Sequence, residues 1–189
     1  LYKAKERGLT SASQGEGAKK VLDQIKNLEN QGFQYDGAEA SFELLICRNE
    51  PGYRPPFELV DFMVVVENRR RAPTSGDGQM LAEAMVKVKV GNEIVHTAAE
   101  GNGPVNALDT ALRQALLRFY PPLAQVKLVD YKVRILEETA GTSAQVRVLI
   151  ESSDGKQEWR TVGSSTNIIE ASWQALVDSL EYWLWKRDV

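Results

Sequence analysis

The sequence predicts an α+β fold: two pseudo-repeated βββα units preceded by a two-helix linker. Three observations predict it. Up to about residue 50, apolar residues recur at helical spacing. Beyond Pro56 the period changes to two, and the same order of segments runs through twice. Each run ends in a glycine-containing loop that leads into an amphipathic stretch.

In the linker, Val21, Leu22, Ile25 and Leu28 fall on one helical stripe, and Gly32 follows as a stop. A second, short helix is expected from Asp36, with the Asp36 side chain as cap and Glu39 as its capping-box partner. Its stripe is Ala38, Phe42, Leu45 and Ile46. The segment from Asn49 to Pro56 carries three prolines and a glycine and breaks any helix, so a helical subdomain is expected over 1–55 and a second domain over 56–189.

Within the second domain the units are expected near 57–122 and 123–187. Leu59-Val60-Asp61-Phe62-Met63-Val64 matches Leu128-Val129-Asp130-Tyr131-Lys132-Val133, and each opens a strand. Val86, Val88 and Val90 alternate with Lys87 and Lys89, while Val146, Val148 and Ile150 share a face of the matching strand. Gly91-Asn92 and Asp154-Gly155 read as two-residue hairpin turns, with third strands near 93–99 and 156–162. The closing helices carry Ala107, Leu108, Ala111, Leu112, Ala115, Leu116 and Phe119 in the first unit. In the second they carry Ala171, Ala175, Leu176, Leu180 and Leu184. The opening strands are 69 residues apart (Leu59 to Leu128) and the helices 64 (Leu112 to Leu176), so five residues are missing from the second unit. The first hairpin and the glycine loop are the expected places. A sheet with one helix leaves a face uncovered, so the units are expected to pack together and again on a second subunit. Trp173, Trp183 and Trp185 then read as core or interface aromatics.

Composition removes several function classes. A net charge of −3, without a long single-sign run apart from Arg69-Arg70-Arg71, demands no polyanionic partner. Apolar runs such as Phe62 to Val66 are far below the roughly 20 residues that span a bilayer. The single cysteine, Cys47, forms no internal disulfide and reads as a buried thiol, which with the soluble character fits a cytoplasmic location. The polar start, Lys3 to Arg7, reads as the continuation of a longer chain. His96, the sole histidine, has no nucleophile spaced for it to activate and reads as a structural or surface residue. No zinc, haem or iron–sulfur pattern occurs, and no cofactor is expected.

Two features recur once per unit. Asp61 and Asp130 occupy matching places, either as acceptors for a ligand ammonium or as strand residues bonding a neighbouring amide. The loops Gly101-Asn102-Gly103-Pro104-Val105-Asn106 and Gly163-Ser164-Ser165-Thr166-Asn167-Ile168 both lead into helices. There unpaired amides, the helix dipole and small residues suit a carboxylate. The same pattern is also ordinary helix punctuation, and the dinucleotide fingerprint is absent because its third glycine is missing.

Three long segments carry a more specific signal. They run from Gln34 to Leu45, from His96 to Leu108, and from Asn167 to Leu176. In this order they resemble the carboxy-terminal part of citramalate synthases, relatives of 2-isopropylmalate synthase, over about residues 15 to 187. The resemblance implies a regulatory, dimerising region that binds an amino-acid end product. Its parent acyltransferase would join acetyl-CoA to a 2-oxo acid in a metal-dependent barrel that this chain lacks, so the chain itself is expected to be non-catalytic. The tracts around Phe42 and Trp173 look closer to citramalate synthase, which implies isoleucine as feedback effector and pyruvate as the parent's substrate; leucine, for a 2-isopropylmalate synthase, is the alternative. A branched zwitterion needs amides for its carboxylate, an acceptor for its ammonium and a narrow apolar pocket. The expected effector-binding set is therefore Ala98, Gly101, Asn102, Gly103, Pro104, Val105, Asp61, Asp130, Thr166, Asn167 and Ile168, with Ile169 beside them. A double-stranded-RNA module also places three strands before a helix, but these helices begin Val105-Asn106-Ala107 and Ile168-Ile169-Glu170, without the lysines that meet phosphates. A dimerisation module without ligand is the remaining reading.

Overall fold

The computed structural model describes residues 15–67, 81–136 and 138–187; Lys3 to Arg7 and Arg69 to Arg71 lie outside them. The chain divides into two compact units. One is Pro56–Gln125; the other gathers the described residues up to Pro55 with those from Val126 onward.

The linker helices are α1, Gly15–Asn30, and α2, Glu39–Cys47. Val21 is buried and Ile25 and Leu28 are half-buried, but Leu22 faces solvent at 38% exposure. Helix α1 ends at Gly32, whose φ of +89° turns the chain left-handed and lets Phe33 N–H reach the Leu28 carbonyl at 3.0 Å. The expected Asp36 cap does not form. Gly37, at φ +81°, makes a turn after Asp36, so the cap position falls on Ala38, whose side chain has no acceptor, and Glu39 becomes the first helical residue.

In the unit Pro56–Gln125, strands β1 (Glu58–Glu67), β2 (Leu81–Val90) and β3 (Glu93–Gly101) form an antiparallel meander. Helix α3, Pro104–Leu116, covers one face. Val86 and Val88 of β2 meet Ala107, Leu108, Ala111, Leu112, Ala115 and Leu116 of α3, all fully buried. Each such leucine contributes roughly 2 kcal/mol of hydrophobic stabilisation before entropy is counted. Phe119 lies beyond the helix and is half-buried. Gly91, at φ +58°, and Asn92 make the expected two-residue turn between Val90 and Glu93.

The other unit repeats this plan with β4 (Lys127–Ile135), β5 (Val146–Ser153), β6 (Glu158–Ser165) and α4 (Ile168–Trp185). Its second turn differs from expectation by one residue. Gly155, at φ +84°, and Lys156 are the central pair, because the Asp154 carboxylate stands before the turn and accepts the Lys156 and Gln157 amides at 2.9 and 3.0 Å. Strand β6 therefore starts at Glu158, two residues later than the spacing suggested. Trp159, Trp173 and Trp183 are buried within this unit, and Trp185 is half-buried, so intramolecular packing accounts for three of the four tryptophans.

The repeat extends to details the sequence did not reveal. Strands β1 and β4 carry a bulge at the same place, between Leu59 and Asp61 and between Leu128 and Asp130. Thr97 donates to the Ala111 carbonyl and Thr161 to the Ala175 carbonyl, each at 2.7 Å. The residues paired across the sheets, Phe62, Val86 and Thr97 against Tyr131, Ile150 and Thr161, place the whole five-residue loss between the first two strands of each unit. The glycine loop keeps its length.

Candidate functional site: two helix starts and a half-buried ion-pair cluster

The two loops begin their helices differently. Gly103 is the cap position of α3, in extended conformation (φ −170°, ψ 169°), and no side chain caps the helix. Pro104 has no N–H to offer, so the Val105 and Asn106 amides are the donors of the first turn. The Asn106 carboxamide oxygen turns back to accept Asn102 N–H at 3.2 Å. A Cβ built on Gly101 would lie 2.5 Å from Ala107 N, whereas one on Gly103 meets nothing within 4 Å. The α3 start is thus narrow at Gly101 and open at Gly103.

At α4 the corresponding place is closed. The Asn167 side chain accepts the Ile169 and Glu170 amides at 2.9 and 3.5 Å, and Ser165 Oγ donates to Glu170 at 2.6 Å while accepting Asn167 N–H. Thr166 and Ile168 are exposed. Of the two loops, only the first leaves the amides of its helix start, Val105 and Asn106, without a side-chain cap, although Asn106 bonds Asn102 N–H before it.

The recurrent aspartates stand apart from these loops within their units. Asp61 pairs with Lys87 in register and Gly101 with Ala82, five residues along β2, or roughly 16 Å at strand rise. Ala98 lies between, opposite Met85 on the sheet face that α3 does not cover, and exposed His96 stands opposite Lys87 on that face. Asp130 sits in the bulge of β4, accepts Tyr131 N–H at 2.9 Å and forms an ion pair with Lys132. The Lys132 ammonium first, and the amide next, outweigh desolvation and hold the Asp130 carboxyl below the usual carboxylate range. Asp130 thus bonds a neighbouring amide, one of the two roles expected for it.

A second polar site was not read from the sequence. Arg48, directly after α2, donates from Nη2 to Asp178 (2.8 Å) and from Nε and Nη2 to Glu181 (3.0 and 2.5 Å). Ser41 Oγ donates to Asp178 at 2.6 Å and accepts Val162 N–H at 3.0 Å, and Tyr53 Oη donates to Glu181 at 2.6 Å. Burial opposes the Arg48 charge, but the Glu181 hydrogen bonds and the Asp178 charge outweigh it and raise its pKa. For Asp178 burial wins, and its carboxyl is pushed above the ordinary range despite Arg48 and Ser41. The available signal was two acids three residues apart inside the apolar stripe of α4, a spacing that puts both on one face. Among the described residues, no three of His, Cys, Asp and Glu gather as a metal-binding group, and no helix is long and apolar enough to cross a membrane.

Residues 36–184 match the family described as the LeuA allosteric (dimerisation) domain. The chain belongs to that family. Among LeuA-domain relatives it is 51% identical over 188 residues to an (R)-citramalate synthase of Geobacter sulfurreducens, covering 100% of this chain and 35% of that protein. It is 48% identical to the (R)-citramalate synthase of Aquifex aeolicus, covering 98% and 34%. Similarity to a 2-isopropylmalate synthase of Shewanella woodyi is 35% over 107 residues, 57% of this chain and 19% of that protein. The chain spans about a third of the length of the citramalate synthases it matches.

Proposed function

We propose that this LeuA domain is the isoleucine-sensing, homodimerising part of a citramalate synthase, and that the effector carboxylate is held at the start of α3. The observation that carries the reading is the uncapped helix start, where Val105 and Asn106 present their amides beside a glycine with open space around it. The capped α4 start makes Thr166, Asn167 and Ile168 the weaker candidates. Higher identity to citramalate synthases than to the 2-isopropylmalate synthase supports isoleucine over leucine, and pyruvate and acetyl-CoA as substrates of the parent enzyme. The condensation would belong to parts of that enzyme outside this chain.

Gly103→Asp tests the reading. Its backbone is extended and open, so the substitution is tolerated, and an aspartate at the cap position bonds the very amides proposed for the effector, adding a few tenths of a kcal/mol to helix stability. Calorimetric titration should show isoleucine binding at the α3 start abolished while circular dichroism and thermal midpoint stay at or above those of the parent chain. In the intact synthase, end-product inhibition should vanish with turnover retained. Unchanged effector binding removes this loop from the site. Tighter leucine than isoleucine binding would reassign the parent to the 2-isopropylmalate synthases, and absence of any amino-acid binding would leave a dimerisation module alone.

A further inference from the structure

The unit that contains the linker holds a cavity of about 360 Å³ between α1, the loop after it, α2 and α4. Small-ligand pockets run from about 300 to 1,000 Å³, so it has the volume for one compact molecule. Its apolar walls come from Leu28, Phe33, Leu45 and Val177, and Tyr35, Arg48 and Asp178 bring polar atoms to it.

The polar atoms have spare capacity in a definite arrangement. Asp178 is only 14% exposed and accepts one hydrogen bond on each oxygen, from Ser41 and Arg48, whereas a carboxylate has about four lone-pair sites. Arg48 spends Nε and Nη2 on Glu181 and Asp178, and among the described residues its Nη1 makes no hydrogen bond. The Tyr35 hydroxyl is likewise without a hydrogen bond among the described residues, and the Asp178 charge acts on it. A carboxylate and a guanidinium 2.8 Å apart present a dipole that a zwitterion matches head to tail. A zwitterion seated there would set its ammonium against Asp178 and Tyr35 and its carboxylate against the guanidinium of Arg48. A simple amine leaves the guanidinium edge unanswered, and a simple acid brings like charge to Asp178. Most of the remaining lining is apolar, with Gln24 and Gln174 beside it.

We propose that this cavity is a second ligand site of the domain, one that binds a small α-amino acid with an apolar side chain, separately from the α3 start. The test is calorimetric titration of the whole chain with isoleucine, leucine, valine and phenylalanine. It is run on the parent chain and on the Gly103→Asp, Tyr35→Phe and Val177→Trp variants, with thermal unfolding of each. Gly103→Asp should keep one saturable site for at least one of the four. Val177→Trp should remove that site by filling the cavity, and Tyr35→Phe, which deletes an oxygen that makes no hydrogen bond among the described residues, should weaken it about ten-fold. Isobutylamine and isovalerate, which lack one charge each, should bind at least ten-fold more weakly. Binding that Gly103→Asp abolishes and that Tyr35→Phe leaves untouched overturns the cavity and keeps the α3 start. Binding indifferent to Gly103→Asp but lost in the cavity variants does the reverse. Should Val177→Trp fail to fold, Tyr35→Phe decides alone, since unaltered affinity there contradicts the proposal.

Discussion

Asp154 shows how much one carboxylate can organise. It accepts the Trp183 indole N–H at 2.9 Å, Arg187 at 2.6 Å and two amides of the β5–β6 turn, so it ties the hairpin to the end of α4. Burial opposes its charge, but the Trp183, Lys156, Gln157 and Arg187 hydrogen bonds together win, and its pKa lies well below the ordinary aspartate value. A lowered folded-state pKa means stability that is present above the unfolded value of about 4 and is lost as pH falls through the folded one. Asp178, raised by burial, acts in the opposite sense, so the comparison is best made between chains. Denaturant midpoints measured from about pH 5 to about pH 3 should fall in the parent chain and fall distinctly less in Asp154→Asn. The variant should be less stable by about 2–3 kcal/mol at neutral pH, since several hydrogen bonds to a buried charge are weakened together. Equal pH slopes in the two chains would show that Asp154 is not the titrating group.

Each helix packs on its sheet through one close approach, and the two units use different residues for it. A Cβ on Gly163 would lie 1.9 Å from the Ala171 carbonyl oxygen, while the matching place in the other unit holds Ala99, buried without conflict. Conversely Gly101 is tight where Ser165 fits. Gly163→Ala should therefore cost about 3 kcal/mol or more, because the clash is with backbone, and Gly103→Ala should cost well under 1 kcal/mol. Chemical denaturation of both variants checks the contrast. These elements were largely legible in the sequence. Two periods of two, two amphipathic helices and two glycine-bearing turns are local patterns, and Val86, Val88, Leu108 and Leu176 declare their buried faces by spacing alone. What was not legible depended on distant partners. The α2 cap was misread because Gly37 decides where the turn falls, and the β5–β6 turn because Asp154 bonds past it. Arg48 and Asp178 lie 130 residues apart, so nothing near either announces the pair. The candidate site was legible in part: the α3 loop stands out by its glycines, but that Asn167 closes the α4 loop emerges only from geometry.

At the scale of the whole molecule, the sheet of the Pro56–Gln125 unit keeps one face without a helix. Met63, Val65 and Ile94 lie on it at 48%, 39% and 60% exposure, with Met85 and Ala98 between them. For a member of a dimerisation family, this uncovered face, where those apolar side chains lie among Asp61, Lys87 and His96, is where a second copy is expected to seat. The double variant Met63→Glu, Val65→Glu places two charges there without disturbing the packed face. Sedimentation equilibrium should show the parent chain as a dimer and the variant dissociating at least ten-fold more readily, with circular dichroism unchanged. A parent monomer at micromolar concentration, or an undisturbed variant dimer, would remove this face from the assembly.

The clasp of Arg48, Ser41 and Tyr53 on α4 also bears on where such a domain can be cut. The proline-rich stretch before Phe57 looks like a natural place to begin a shorter fragment, since composition changes there. A fragment starting at Pro56 would strip Asp178 and Glu181 of their guanidinium, remove the acceptor of Val162 N–H, and leave two carboxylates three residues apart on one helix face with no cation between them. Arg48 is 37% exposed and its attraction to both acids is partly screened, but Glu181 at 4% and Asp178 at 14% would be left without their main donor, which costs about 1–3 kcal/mol, a sizeable share of what a unit this size has in hand. The region that looks like a tether is therefore a structural part of the unit formed from Val126 onward, not of the Pro56–Gln125 unit that follows it in sequence, and a shorter expression fragment should begin before α1.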